Sequence, residues 1–157
     1  MRDFIGAVCI VAVLTGAASA SEHGEGIALY PPGQMKWMEG PPSIPKGAKI
    51  AVLEGDPNKE GPFVFRLKFP DGYRVAPHTH PKTERVTVLA GQLNLGMGAK
   101  FDAAATQPIT AGTYGYWKSG MKHFAYVTGE TILQFHGMGP WSINYVNPAD
   151  DPRNQKK

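Results

Sequence analysis

The chain has 157 residues and a formal net charge of +3, and its basic side chains form no run longer than Lys156–Lys157. This scattered charge argues against a nucleic-acid-binding protein. With Cys9 as the single cysteine, the chain forms no internal disulfide, so its stability must come from a packed core, which a chain of this length can build as one domain.

The N-terminal segment carries the pattern of a secretory signal peptide. An apolar run from Phe4 to Leu14 is too short to cross a bilayer, and small residues follow it at Ala18 and Ala20. We expect residues 1–20 to be removed after Ala20, which predicts a periplasmic or secreted protein without a membrane attachment. A membrane anchor and a buried first helix are the alternatives, and the run length and the A-x-A ending disfavour both.

The rest of the chain indicates an all-β domain between two irregular ends. Residues 21–49 are rich in Gly and Pro and predict an extended arm, residues 50–147 predict the domain, and residues 148–157 predict a polar tail. About ten short strands with frequent turn signals and no convincing amphipathic helix predict a sandwich or barrel. The predicted strands are 50–53, 63–69, 73–80, 84–90, 93–97, 107–110, 113–117, 122–127, 131–136 and 142–146. Gly91–Gln92 is expected to form a tight turn, and Gly129–Glu130 to separate the strands of the last hairpin.

Three residues of the types that bind metals lie close together between Gly72 and Gly91. His78 and His80 point to the same face of a strand, because side chains alternate along it. Pro81 ends regular pairing, and Glu84 opens the next strand close by. Two imidazoles and a carboxylate on one face are a ligand set for a divalent transition metal.

This spacing resembles the first motif of the cupin superfamily: G, five residues, H-x-H, three residues, E, six residues, G. A second cupin motif is similar to the segment from Gly112 through Gly120 to His123, although Lys118 and Val127 stand where the family usually has Pro and Asn. The resemblance implies a double-stranded β-helix, or jelly-roll barrel. It also implies a metal site of His78, His80, Glu84 and His123. Manganese, iron, zinc, nickel, cobalt and copper all suit such ligands, and the sequence does not choose among them.

The alternation of side chains along a predicted strand indicates candidates for a catalytic role. Ile132, Gln134 and His136 share one face of the strand 131–136, and Leu133 and Phe135 share the other. If the polar face looks into the barrel, Gln134 and His136 contact the metal's ligands or the substrate; if it faces solvent, they are surface residues. Tyr116 is a further candidate, within a set of aromatic residues expected to form the pocket wall: Tyr73, Tyr116, Trp117 and Tyr126.

The expected partner is a small molecule bound at the metal. One hypothesis is an enzyme of the dioxygenase, isomerase, lyase or decarboxylase type, and a second is a non-catalytic module that binds or senses a metal or small ligand. A third is a structural cupin whose metal site is incidental. An acid or base beside the metal, such as an inward His136, would favour the enzyme; walls of Val, Ala and Leu alone would favour binding. The family resemblance also implies a homodimer.

Overall fold

The computed structural model describes residues 26–155. The predicted signal peptide, residues 1–20, and the last two residues of the predicted tail lie outside this range. The chain divides into two compact units after Gln34. The described part of the first unit, residues 26–34, contains a short 3-10 helix at Pro32–Gln34.

The second unit is built from nine β-strands, and among residues 26–155 the structure contains no α-helix. This confirms the all-β prediction. Nor does this part of the chain contain a helix with the length and apolar character needed to span a bilayer. The strands are β1 (Met38–Glu39), β2 (Lys49–Glu54), β3 (Gly61–Phe69), β4 (Arg74–Thr79), β5 (Glu84–Met97), β6 (Thr106–Thr110), β7 (Tyr114–Trp117), β8 (His123–Gly139) and β9 (Asn144–Tyr145).

Strand β3 shows how the period-2 pattern builds the core. Phe63, Phe65, Leu67 and Phe69 alternate with more exposed residues and are all at most 5% exposed. Burying one such side chain contributes about 1.5–3 kcal/mol. The rings also stack along the strand, with 5.3 Å between the ring centroids of Phe63 and Phe65. One face of β3 therefore forms a wall of the hydrophobic core.

The two long strands, β5 and β8, form a bent antiparallel ribbon that organises the barrel. They pair from Arg85 opposite His136 to Met97 opposite His123, with a register irregularity between Val88 and Gln92. On one side of the bend, β5 pairs with β7 and β8 pairs with β3; on the other side, β5 pairs with β6 and β8 pairs with β4. Each half thus belongs to a different layer, and the core between the layers is that of the jelly-roll barrel that was predicted.

The two predicted turns within this ribbon are wrong. Strand β5 continues through Gly91, and strand β8 continues through Gly129. Both glycines have positive φ, +75° and +72°, as a hairpin turn would require. Here they lie at the bend of a continuous ribbon, because a glycine inside a strand allows a bulge as readily as a turn.

The segments outside the predicted domain also contribute to the second unit. Strand β1 pairs with β2, and Ile44 and Ala48 are buried in the hydrophobic core at 5% and 1% exposure. After β9 the chain forms two more 3-10 helices, Pro148–Asp150 and Pro152–Asn154. Part of the predicted arm therefore packs as core.

Candidate metal centre

Three histidines from two distant segments of the sequence meet inside the barrel. His78 on β4 lies opposite His123, the first residue of β8, and His80 directly follows β4. All three are at most 5% exposed, and one ring nitrogen from each falls in a group whose members lie within 4.8 Å of one another. The antiparallel pairing of β4 and β8 thus joins the two sequence motifs at one point.

The other ring nitrogen, Nδ1, lies within hydrogen-bonding distance of a backbone carbonyl oxygen in each histidine. The Nδ1 atoms of His78, His80 and His123 lie 2.7, 2.7 and 3.0 Å from the carbonyl oxygens of Ala76, Ser142 and Met121. A carbonyl oxygen only accepts, so each Nδ1 carries the hydrogen of the neutral ring. In the neutral form of each ring, Nε2 therefore carries the lone pair, which is the orientation that a metal-binding histidine requires.

Glu84, the first residue of β5, lies beside the rings of His80 and His123. Its Oε2 atom is 3.2 Å from Nε2 of His80 and 3.7 Å from Nε2 of His123. Two indole N–H groups donate to the same carboxylate: Trp117 to Oε2 at 2.6 Å and Trp141 to Oε1 at 3.0 Å. The carboxylate is thus buried, held at both oxygens and adjacent to two of the imidazoles.

Burial and charge give these groups different protonation behaviour. Burial, with the neighbouring His123 and His80 rings, lowers the pKa of His78 to about 3. For Glu84, burial is the largest effect and opposes ionisation, but His80 and His123 outweigh it and hold its pKa well below the usual value. Burial likewise opposes charge on His80, but Glu84 raises its pKa overall. The centre therefore combines an uncharged ring with an ionised carboxylate and favours positive charge beside Glu84.

One atom of the centre lacks a hydrogen-bond partner. The Nε2 atom of His80 is fully buried and has no partner with full hydrogen-bond geometry among the described residues, although Oε2 of Glu84 lies 3.2 Å away. A buried polar atom without a partner is costly. A cation shared by the Nε2 atoms would satisfy it, so the residues present fit a divalent transition metal.

The centre opens into a small cavity with mostly apolar walls. The cavity volume is about 60 Å³, and all four predicted ligand residues line it. The walls include Leu67, Val86, Leu93, Val127, Leu133 and Phe135. Tyr73, Trp117 and Tyr126 also line it, as expected of aromatic wall residues.

The candidate catalytic residues lie elsewhere. Gln134 and His136 are not among the residues lining the cavity; Gln134 accepts a hydrogen bond from Arg66 at 3.0 Å, and His136 stacks on Tyr114 with 6.1 Å between ring centroids. Tyr116 is 59% exposed. Leu133 and Phe135 are instead the buried residues of this part of β8, so the solvent-facing alternative describes the strand.

Sequence reasoning missed two residues of the site. Trp141, which follows β8, binds Glu84 and lines the cavity, and Ile44 from the segment between β1 and β2 lines it too. No periodicity signals either residue, because both lie outside regular strands. Apart from the four predicted ligands, the titratable lining residues in the described chain are Tyr73 and Tyr126. Burial raises the pKa of Tyr73, and its hydroxyl donates to the backbone of Pro45.

The chain and its fold have counterparts among known proteins. Residues 26–142 match the family described as the ChrR Cupin-like domain. Germin-like protein 5-1 of Oryza sativa subsp. japonica is 34% identical over 90 residues, which are 57% of this chain and 40% of that relative. The chain therefore spans less than half the length of this curated relative.

Two solved structures share the architecture. The polyketide cyclase RemF from Streptomyces resistomycificus has a TM-score of 0.62 and 17% identity, over 80% of this chain and 89% of that one. An acetylacetone dioxygenase from Acinetobacter johnsonii has a TM-score of 0.60 and 15% identity, over 87% of each chain. At these identities the likeness concerns the fold. Together with the family match over most of the chain, it shows that the protein belongs to the cupin superfamily, as a member of the family of ChrR cupin-like domains.

Proposed function

We propose that this cupin holds one divalent transition metal through His78, His80, His123 and Glu84 and acts with it on a small, partly apolar molecule. The observation that carries the proposal is the shared orientation of the three rings, each with Nδ1 bound to a carbonyl oxygen and Nε2 facing the others. Rings that merely packed in a core would not need three lone pairs directed at one point.

The protein's own residues would bind, orient and shield the reacting molecule. The four ligands would hold the metal with room for a further ligand, and the apolar walls would exclude water and contact the apolar part of a small molecule. When bound, the metal supplies Lewis acidity toward a substrate oxygen, or a site for dioxygen if it is Fe(II). The reaction types that we propose are those of a dioxygenase, isomerase, lyase or decarboxylase.

A second candidate is a non-catalytic module that binds or senses a metal or small ligand. It is favoured by the absence, among the described lining residues, of any histidine, carboxylate, lysine or arginine side chain other than the four ligands. The two candidate functions can be distinguished by incubating the metal-loaded protein with small oxygen-containing compounds under air and under argon. Conversion of a compound identifies the enzyme, and stoichiometric recovery of a bound but unchanged compound identifies the module.

We further propose export to the periplasm or the medium, on the signal-peptide pattern of residues 1–20. Expression of the full-length chain in a bacterial host, followed by fractionation and N-terminal sequencing, would test it. A mature chain that begins at Ser21 is the expected result. An uncleaved chain in the cytoplasmic fraction would contradict the proposal.

The ligand assignment is tested by single substitutions of the three histidines. We expect His78→Ala, His80→Ala and His123→Ala each to abolish stoichiometric metal binding while the barrel stays folded, because the core is built from other residues. Elemental analysis of the purified proteins measures the metal, and circular dichroism checks the fold. If all three variants kept stoichiometric metal, the assignment would be wrong.

A further inference from the structure

We infer that Trp117 and Trp141 are positioning residues of this centre, which hold the carboxylate of Glu84 so that a single oxygen faces the imidazoles of His80 and His123. The inference rests on the proposed function, because a positioning role requires that the site bind a metal. It concerns two indole N–H groups, neither of which belongs to the proposed ligand set.

The two hydrogen bonds together fix the carboxylate. Trp117 donates to Oε2 at 2.6 Å and Trp141 donates to Oε1 at 3.0 Å, so each oxygen has its own donor. An indole N–H donates and cannot accept, so Glu84 has to accept at both oxygens. Because each oxygen accepts from a different donor, rotation of the carboxylate about the Cγ–Cδ bond of Glu84 is opposed.

Both indoles are themselves firmly held. Trp117 is 8% exposed and lies directly opposite Glu84 in the pairing of β7 with β5. The ring of Trp141 packs edge-on against Phe65, with 5.4 Å between ring centroids, and its backbone N–H donates to the carbonyl oxygen of Pro57 at 2.6 Å. The donors are therefore preorganised from two sides, one by a strand and one by the segment after β8.

This arrangement assigns different tasks to the two oxygens. Oε2, which accepts from Trp117, is also the atom near Nε2 of His80 and Nε2 of His123, at 3.2 and 3.7 Å, whereas Oε1 accepts from Trp141. Glu84 would thereby offer Oε2 to a metal. Without the indole donors, the carboxylate could turn to offer both oxygens or move away from the imidazoles. Partners that orient ligands in this way typically contribute 10–100-fold to metal affinity.

The test uses Trp117→Phe and Trp141→Phe, which keep an aromatic ring and remove the N–H donor. We expect the Co²⁺ affinity of each variant, measured by competition with a chromophoric chelator, to fall by about 10–100-fold. The visible absorption spectrum of the Co²⁺-loaded protein, which depends on the number and geometry of ligands, should change as well. A purely structural role would leave the spectrum of the loaded protein unchanged.

Trp37 provides the matched control, because its ring lies against Lys68 and is not among the residues that line the cavity. Trp37→Phe should keep the wild-type affinity and spectrum. A decrease in affinity for Trp37→Phe equal to that of the other two variants would overturn the inference, since the effect would then follow from the loss of any tryptophan.

A double-mutant cycle with Glu84→Ala tests whether the indoles act through the carboxylate. In the Glu84→Ala background, each Trp→Phe change should have little further effect on Co²⁺ affinity, because the group that it orients is gone. Additive losses would overturn the inference. If Trp117→Phe does not fold, Trp141→Phe carries the same cycle. A wild-type protein that binds no metal contradicts the proposed function, whereas wild-type metal binding with unaltered Trp variants contradicts only this inference.

Discussion

At the scale of single residues, the centre depends on how the backbone orients each ring. His78 and His123 are both bound through Nδ1 to the carbonyl oxygen two residues earlier in the chain, at Ala76 and Met121. His80 is bound to Ser142, 62 residues further along the chain. The first two orientations are local and could form with their own strand, whereas the third requires the segment after β8 to be in place.

The sequence therefore predicted the members of the site better than their contacts. Motif spacing indicated His78, His80, Glu84 and His123, and the structure brings all four to one cavity. The sequence indicated Trp117 only as a wall residue, and it gave no signal for Trp141 or for either hydrogen bond to Glu84, because the direction of a side-chain N–H depends on tertiary packing. The alternation of side chains along the strand predicted that Gln134 and His136 share one face, but it does not determine which face lies inside the barrel.

His136 gives a direct test of that orientation. We expect His136→Ala to keep full metal content, because the ring stacks on Tyr114 outside the cavity and supplies nothing to the centre. The loss of the aromatic contact should cost about 0.5–1.5 kcal/mol of stability at most. Elemental analysis and urea unfolding measure the two quantities. His123→Ala, a change of the same kind on the same strand, should lose the metal; metal loss in His136→Ala would show that His136 contacts the site.

At the scale of elements, the bend of the β5–β8 ribbon positions the site. It lets each long strand serve both layers, so that β8 carries His123 in one layer and Phe135 in the other. The sequence predicted the strand segments on both sides of Gly91 and Gly129 but separated them, since positive-φ glycines occur in turns and in bulges alike. Only the partner strands decide between the two.

Gly91 and Gly129 make a matched pair for a test of this bend. A Cβ at Gly91 would lie 2.5 Å from the carbonyl oxygen of Glu130 and 2.8 Å from Cα of Thr131, whereas a Cβ at Gly129 would meet nothing within 4 Å. Both positions have nearly equal positive φ, so alanine at either should cost about 1–2 kcal/mol for the backbone alone. Gly91→Ala should lose a further ~1–3 kcal/mol from crowding.

Urea unfolding followed by tryptophan fluorescence would measure both free energies of unfolding. The informative quantity is the difference between the two variants, because the backbone cost is common to them. Equal losses would mean that β5 and β8 approach less closely at the bend than the structure shows.

At the scale of the whole molecule, the centre is part of the same interior as the hydrophobic core. Val86, Leu133 and Phe135 belong to the core and also line the cavity. The core side chains pack without the four ligands, so we expect the scaffold to fold without the metal. A bound ion should nevertheless add to stability, because the four ligands come together only in the folded chain.

The last prediction follows from this linkage. If the ion binds the folded chain and not the unfolded one, a free concentration one hundred times Kd should raise the free energy of unfolding by about 2.7 kcal/mol. Thermal unfolding of wild-type protein with added metal and after treatment with a chelator would measure the change. His78→Ala should unfold at the same temperature in both conditions, because it lacks one of the three convergent nitrogens. If the wild-type protein bound the ion without any gain in stability, the ion would be binding outside the folded barrel. The assignment of the histidine cluster as the metal centre would then be wrong.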